Sequence, residues 1–142
     1  MQVAVSRKTI KSAAAFKAVE AAVANGRAHG VVVGARHADV SGDLIASLRA
    51  DGAFSTSVGI AKDKAYTAAV FGAPTDDLSN GLKGNPVLHH GIAIRPGGVL
   101  FGGGVPIVER GGAIGAIGVS GGSEDDDREC ARAGATALAQ AD

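Results

Sequence analysis

The 142-residue chain reads as a single α+β domain spanning residues 1–142, with one antiparallel sheet and helices packed against it. Three observations say so. Helical and strand-like segments come in blocks, in the order helix, hairpin, helices, three or four strands, helix. That is not the strict alternation of a doubly wound parallel sheet. The stretch from Val99 to Glu124 has the turn-rich look of a meander and holds no crossover helix. Glycine is also unusually dense between Pro96 and Gly122, and glycine in an ordered strand loses the most backbone entropy while packing nothing. Gly112, Gly115, Gly118 and Gly121 recur every third residue, so successive members thin both sheet faces. Either a helix or subunit packs very close there, or a flat ligand lies against bare backbone.

The elements follow in order. Ser6 is the expected N-cap of a first helix running from Ile10 to Ala24. Phe16, Val19 and Val23 form its inward stripe, and Asn25-Gly26 its stop. Val31 to Asp39 and Leu44 to about Asp51 read as a hairpin turned at Ser41-Gly42. Ser55-Thr56-Ser57 is expected to cap a helix through Phe71, closed by Gly72 and Pro74. Thr75-Asp76-Asp77 opens a short helix ended by Gly84. Strands are then expected over Gly91–Ile94, Val99–Phe101, Val105–Arg110 and Ala113–Ser120. Ser123 caps a last helix whose first turn, Glu124 to Asp127, is acidic and complements the helix dipole. Cys130, Gly134 and Leu138 share one of its faces.

Composition excludes several function classes. Fourteen basic and fourteen acidic residues cancel, which argues against nucleic acid, because phosphate binding needs a basic field. One cysteine, Cys130, excludes an intrachain disulfide and a cysteine zinc cage. No segment reads as a signal peptide or a membrane span, so a soluble cytoplasmic protein is expected. Gly118-Val119-Ser120-Gly121-Gly122 matches a nucleophile-elbow pattern, but no histidine follows Ser120 and the surrounding pattern is not a parallel sheet. The glycines form no dinucleotide or P-loop fingerprint.

The residues that carry chemistry are few. Lys64 falls on the stripe Ile60, Lys64, Thr67, Phe71, so an ammonium points inward and needs a carboxylate, a carbonyl or a ligand. Its two readings are a structural ion pair and a pocket-rim cation that holds or polarises a substrate. Lys62 falls on another face and reads as solvated. Tyr66, two residues on from Lys64, is a candidate proton carrier. His89-His90 is the most conspicuous polar pair. On an extended segment the two point to opposite faces and cannot share a metal, while either alone is a candidate general base or haem-iron ligand. The competing reading is a polar loop after Pro86. His37 is a weaker candidate of the same type, and His29 reads as a surface or capping residue.

Ala61-Lys62-Asp63-Lys64-Ala65-Tyr66-Thr67-Ala68-Ala69-Val70-Phe71-Gly72-Ala73-Pro74-Thr75 resembles the signature helix of the GlcG/HbpS-like haem-degrading domain family, which includes the C-terminal domain of propanediol-utilisation PduO proteins. Lys64, Ala65, Thr67 and Ala68 fit its Lys-Ala-x-Thr-Ala pattern. Gly103-Gly104-Val105-Pro106-Ile107 resembles its glycine-glycine-x-proline-x turn, and Gly115 to Gly122 its penultimate strand. The match covers Val31 to Leu138. The resemblance implies a sheet of about five strands, a dimer or higher homo-oligomer, and a small-ligand pocket near Lys64, Thr67, Gly103, Gly104, Val105 and Pro106. It also makes haem a candidate ligand. The propanediol-type members hold haem with a histidine and an early cysteine; here the cysteine lies in the last helix, leaving His89, His90 or His37 as ligands by residue type.

Three functions are open at this point. One is a small-ligand-binding protein for haem or a related tetrapyrrole. Another is a cofactor-free lyase, hydratase or isomerase for a small organic acid, carbonyl or alkene, using Lys64, Tyr66, a histidine and backbone amides near Gly103-Gly104. The third is an oligomeric accessory protein without chemistry.

Overall fold

A computed structural model describes residues 1–139. The elements are α1 (Ser12–Ala28), β1 (Gly34–Asp39), β2 (Leu44–Arg49), α2 (Ser55–Phe71), α3 (Thr75–Gly81), α4 (Pro86–Ala93), β3 (Gly104–Glu109), β4 (Gly112–Ser120) and α5 (Glu124–Ala139). The sheet is antiparallel throughout, in the order β2-β1-β4-β3. The α+β architecture is as expected, with four strands in place of about five. Pro106 lies on β3, an edge strand, where a missing N–H is tolerated.

Two layers of helix cover the sheet. On one face α1 and α5 enclose a core containing Val19, Val23, Val33, Ile117, Val119, Cys130 and Ala131. On the other lies α2, and its buried cluster is entirely alanine: Ala38, Ala65, Ala68, Ala69 and Ala116. Glycines make that approach possible. Gly118 on β4 pairs with Gly104 on β3. A Cβ on Gly104 would lie 2.6 Å from the Lys64 carbonyl oxygen, and one on Gly118 would run into the backbone of Ala61 and Ala65. Gly34 on β1 is equally close, with a Cβ 2.8 Å from Val58 Cγ1. Of the two readings of the glycine run, close helix packing accounts for these positions. Dispersion and burial are gained by backbone approach where other folds use large side chains.

Several boundaries differ from expectation. The first helix begins at Ser12, after the extended Ile10, whose N–H bonds to the Ile114 carbonyl at 2.9 Å. It runs through Gly26, where a Cβ would sit 2.9 Å from the Val31 carbonyl oxygen and 3.3 Å from Cys130 Sγ. Phe16 is exposed, while Val19 and Val23 are buried. The expected cap of α2 is also different: Phe54 holds the N-cap position, and the Ser57 hydroxyl donates back to the Phe54 carbonyl at 2.5 Å. Ser123 does cap the last helix, accepting from Asp126 N–H while Asp126 Oδ2 accepts from Ser123 N–H, both at 3.1 Å.

The larger corrections fall between residues 85 and 103. Gly91–Ile94, expected as a strand, lies mostly inside α4. The Asn85 side chain caps that helix by accepting from Leu88 N–H at 3.1 Å, and Pro86 takes the first helical position, where its lost N–H costs nothing. Val99–Phe101 is buried at Val99 and Leu100 but joins no ladder. Two threonine hydroxyls replace the ladder. Thr67 Oγ1 donates to the Gly97 carbonyl at 2.7 Å and accepts from Val99 N–H at 3.1 Å. Thr75 Oγ1 donates to the Phe101 carbonyl at 2.6 Å and accepts from Gly104 N–H at 3.1 Å. No helix of the described residues is long and apolar enough to cross a membrane.

Candidate functional site

Lys64 is only 1 % exposed, pointing inward as expected, although Ile60 and Phe71 of the same expected stripe are 37 % and 48 % exposed. Its ammonium donates to the Val119 carbonyl at 2.8 Å and to Asp127 Oδ2 at 3.1 Å, and it stands 5.0 Å from the centre of the Phe101 ring. Asp127 Oδ1 accepts from Gly122 N–H at 2.9 Å. Burial pushes the lysine down from its ordinary value and the aspartate up, and their mutual attraction opposes both shifts. A Cβ on Gly103 would lie 2.7 Å from Lys64 Nζ, so this glycine, at φ +124°, makes room for the ammonium. Of the two readings of Lys64, this geometry is that of the structural ion pair. Lys64 is a core ion pair, Gly103 and Gly104 house it and Thr75, and Thr67 ties down the 97–99 segment.

The other candidates are scattered. His37 is fully buried; its Nδ1 lies 2.9 Å from the Ala38 carbonyl, and its Nε2 has no partner among the described residues. Burial lowers its pKa to about 4, so it is neutral and closed off from any bulky ligand. Val105 and Pro106 are half-buried on β3. Pro106 borders an apolar groove of about 350 Å³ with Ile10, Ile107, Ile114 and Leu138, on the α1/α5 side and away from Lys64. His89 and His90 lie on α4 and not on an extended segment or loop. His89 Nε2 is 3.1 Å from Ser79 Oγ, tying α4 to α3. His90 is exposed. Among the described residues no group of three or more His, Cys, Asp or Glu could hold a metal ion.

Two features of the surface around α2 and α4 were not apparent from the sequence. Helix α4 has no buried residue, although Val87, Leu88, Ile92 and Ala93 are apolar. Beside it, the half-exposed Tyr66, Val70 and Phe71 of α2 face Ile92, Arg95 and Pro96 across a cleft of about 90 Å³. Asp127 was also missed, because a run of four acids reads as one solvated turn. Its 4 % exposure follows from its place one helical turn after Ser123, facing the sheet.

A family model for the haem-degrading protein HbpS-like family matches residues 10–136. The chain belongs to that family. A curated relative from Citrobacter freundii, an uncharacterised 15.0 kDa protein in the dhaT–dhaS intergenic region, is 36% identical over 122 residues, covering 84% of this chain and 85% of that one. The solved structure of a Streptomyces reticuli HbpS double mutant superimposes with a TM-score of 0.87 at 34% identity, covering 95% of this chain and 90% of the other. A PduOC–haem complex superimposes with a TM-score of 0.81 at 26% identity, covering 91% and 94%.

Proposed function

We propose that this member of the HbpS-like family binds a flat tetrapyrrole of the haem class on the outer face of α4, with His90 as the iron ligand. One observation carries the reading: α4 is an apolar helix with nothing buried, and a histidine stands in the middle of its exposed face. Val87 and Ile94 are 83 % and 67 % exposed, and helical spacing puts Val87, His90, Gly91 and Ile94 along one stripe. A Cβ on Gly91 would meet nothing within 4 Å, so the imidazole has open space beside it. An exposed imidazole flanked by aliphatic side chains fits an iron macrocycle, with nitrogen for the metal and hydrocarbon for the ring. When bound, haem supplies a redox-active iron; the chain supplies ligation and apolar cover. The family description and the haem complex of the related PduOC domain support the choice of ligand.

His90 is favoured over His89 and His37 by geometry. His89 is engaged with Ser79, and His37 is sealed in the core. Cys130 is buried, and burial raises its thiol to about 11, which opposes the thiolate an iron site needs. One chain covers one face of a planar ligand, so a second copy of the chain closing over the other face belongs to the same reading.

Titration of haemin into the purified protein tests it. Saturable growth of a shifted Soret band is expected, with the ligation signature lost in His90→Ala and kept in His89→Ala. A wild-type titration without saturation removes haem as the ligand; an unchanged spectrum in His90→Ala removes this residue.

A further inference from the structure

We infer that the cleft between α2 and the turn after α4 is a second, separate site, which takes a carboxylate of two to four carbons. It rests on different residues from the α4 surface and does not require haem to bind there.

The cleft has a fixed wall. The Tyr66 ring is held between two turns that come from distant parts of the chain. A Cβ on Gly42, at φ +90°, would lie 2.7 Å from one ring edge, and a Cβ on Gly97, at φ +80°, would lie 3.2 Å from the other. Both positions have a positive φ that disfavours side chains, so glycine serves the turn and the ring contact together. Thr67, one residue along α2, holds the same turn through the Gly97 carbonyl and Val99 N–H. The ring therefore needs no reordering to meet a ligand, which is where small sites gain affinity.

The cleft also has a free cation. Arg95 lines it and, like most of the chain's lysines and arginines, takes part in none of the ion pairs of the described residues. No acidic side chain lines the cleft; its walls are Tyr66, Val70, Phe71, Ile92 and Pro96 around Arg95. A cleft lined by an arginine, a tyrosine and aliphatic carbon suits a carboxylate joined to a short apolar tail. At about 90 Å³ the cleft is well below the size of sites for drug-sized ligands, so a short acid matches it better than a long one.

The test is an NMR titration of the full chain with acetate, propionate, hexanoate and inorganic phosphate at constant ionic strength. Propionate is expected to saturate shifts at Tyr66, Val70 and Ile92, with hexanoate at least tenfold weaker. Arg95→Gln is expected to weaken propionate at least tenfold, while Lys17→Gln, which removes an exposed charge on α1, leaves it unchanged. Wild-type shifts that do not saturate, or an Arg95→Gln protein that binds equally well, overturn the site. Phosphate binding as tightly as propionate overturns the carboxylate assignment. Because His90→Ala leaves this cleft intact, failure of haem binding and failure of acid binding are separable.

Discussion

Lys64 Nζ lies 3.1 Å from Asp127 Oδ2, joining the middle of α2 to the first turn of α5. With both side chains buried, the pair is expected to behave asymmetrically. Breaking it by Lys64→Met strands a carboxylate in the interior and should cost about 3–5 kcal/mol. Replacing both partners, Lys64→Met with Asp127→Leu, should recover most of that loss. The remaining deficit is about 1–2 kcal/mol, for the Gly122 N–H that loses its acceptor and the Val119 carbonyl that loses the ammonium. Urea denaturation of the two single variants and the double variant measures the coupling. A double variant as unstable as the sum of the singles would show that the pair is not coupled.

His37 sets a pH dependence of known sign. Its folded pKa is lowered from 6.5 to about 4 because the ring is buried. Between those values the unfolded chain binds a proton that the folded chain does not, so stability rises with pH across the window. The contribution is fully present above 6.5 and is lost as pH falls through about 4. A shift of this size corresponds to roughly 3 kcal/mol. Comparing unfolding of the wild type and His37→Leu from pH 4 to 7 isolates the effect, because the leucine variant should lose this part of the slope.

The glycines separate by position. Gly118→Ala drives a methyl into the backbone of α2 at Ala61 and Ala65. Helix and sheet must part along an interface of alanine, at a cost of at least about 1–3 kcal/mol. Gly59, on the exposed side of the same helix, has nothing within 4 Å of its missing Cβ. Gly59→Ala should therefore stabilise by about 0.5–1 kcal/mol through helix propensity alone. Thermal unfolding of the two variants should move in opposite directions.

How much of this was legible in the residues depends on whether the signal was local. The inward Lys64 followed from helical spacing, and the Ser123 cap from its neighbours. The partner of Lys64 did not, because Asp127 belongs to an acidic run whose members differ only in which face the tertiary fold assigns them. The glycine spacing announced a close approach without saying what approaches, since a helix and a flat ligand ask the same of a strand. Helix α4 was misread because Ile92 and Ile94 favour strands. The contrary signal was present in Asn85-Pro86, an N-cap followed by a residue suited to the first helical turn. The Tyr66 cleft joins residues from α2, the Gly42 turn and the Gly97 turn, and no local pattern links those three.

Thr67 offers the sharpest test of how the 97–101 segment is held. Its hydroxyl serves both the Gly97 carbonyl and Val99 N–H, and Thr67 itself is fully buried. Thr67→Val keeps the shape and removes both hydrogen bonds, leaving the two backbone groups without their partner at a cost of about 1–3 kcal/mol. The loss should be local before it is global, because the segment has no ladder to fall back on. Hydrogen exchange at Val99 N–H is expected to accelerate well beyond the change in global stability, while exchange in β4 follows the global change. Equal acceleration at both places would mean that the segment is held by the burial of Val99 and Leu100 and not by the hydroxyl.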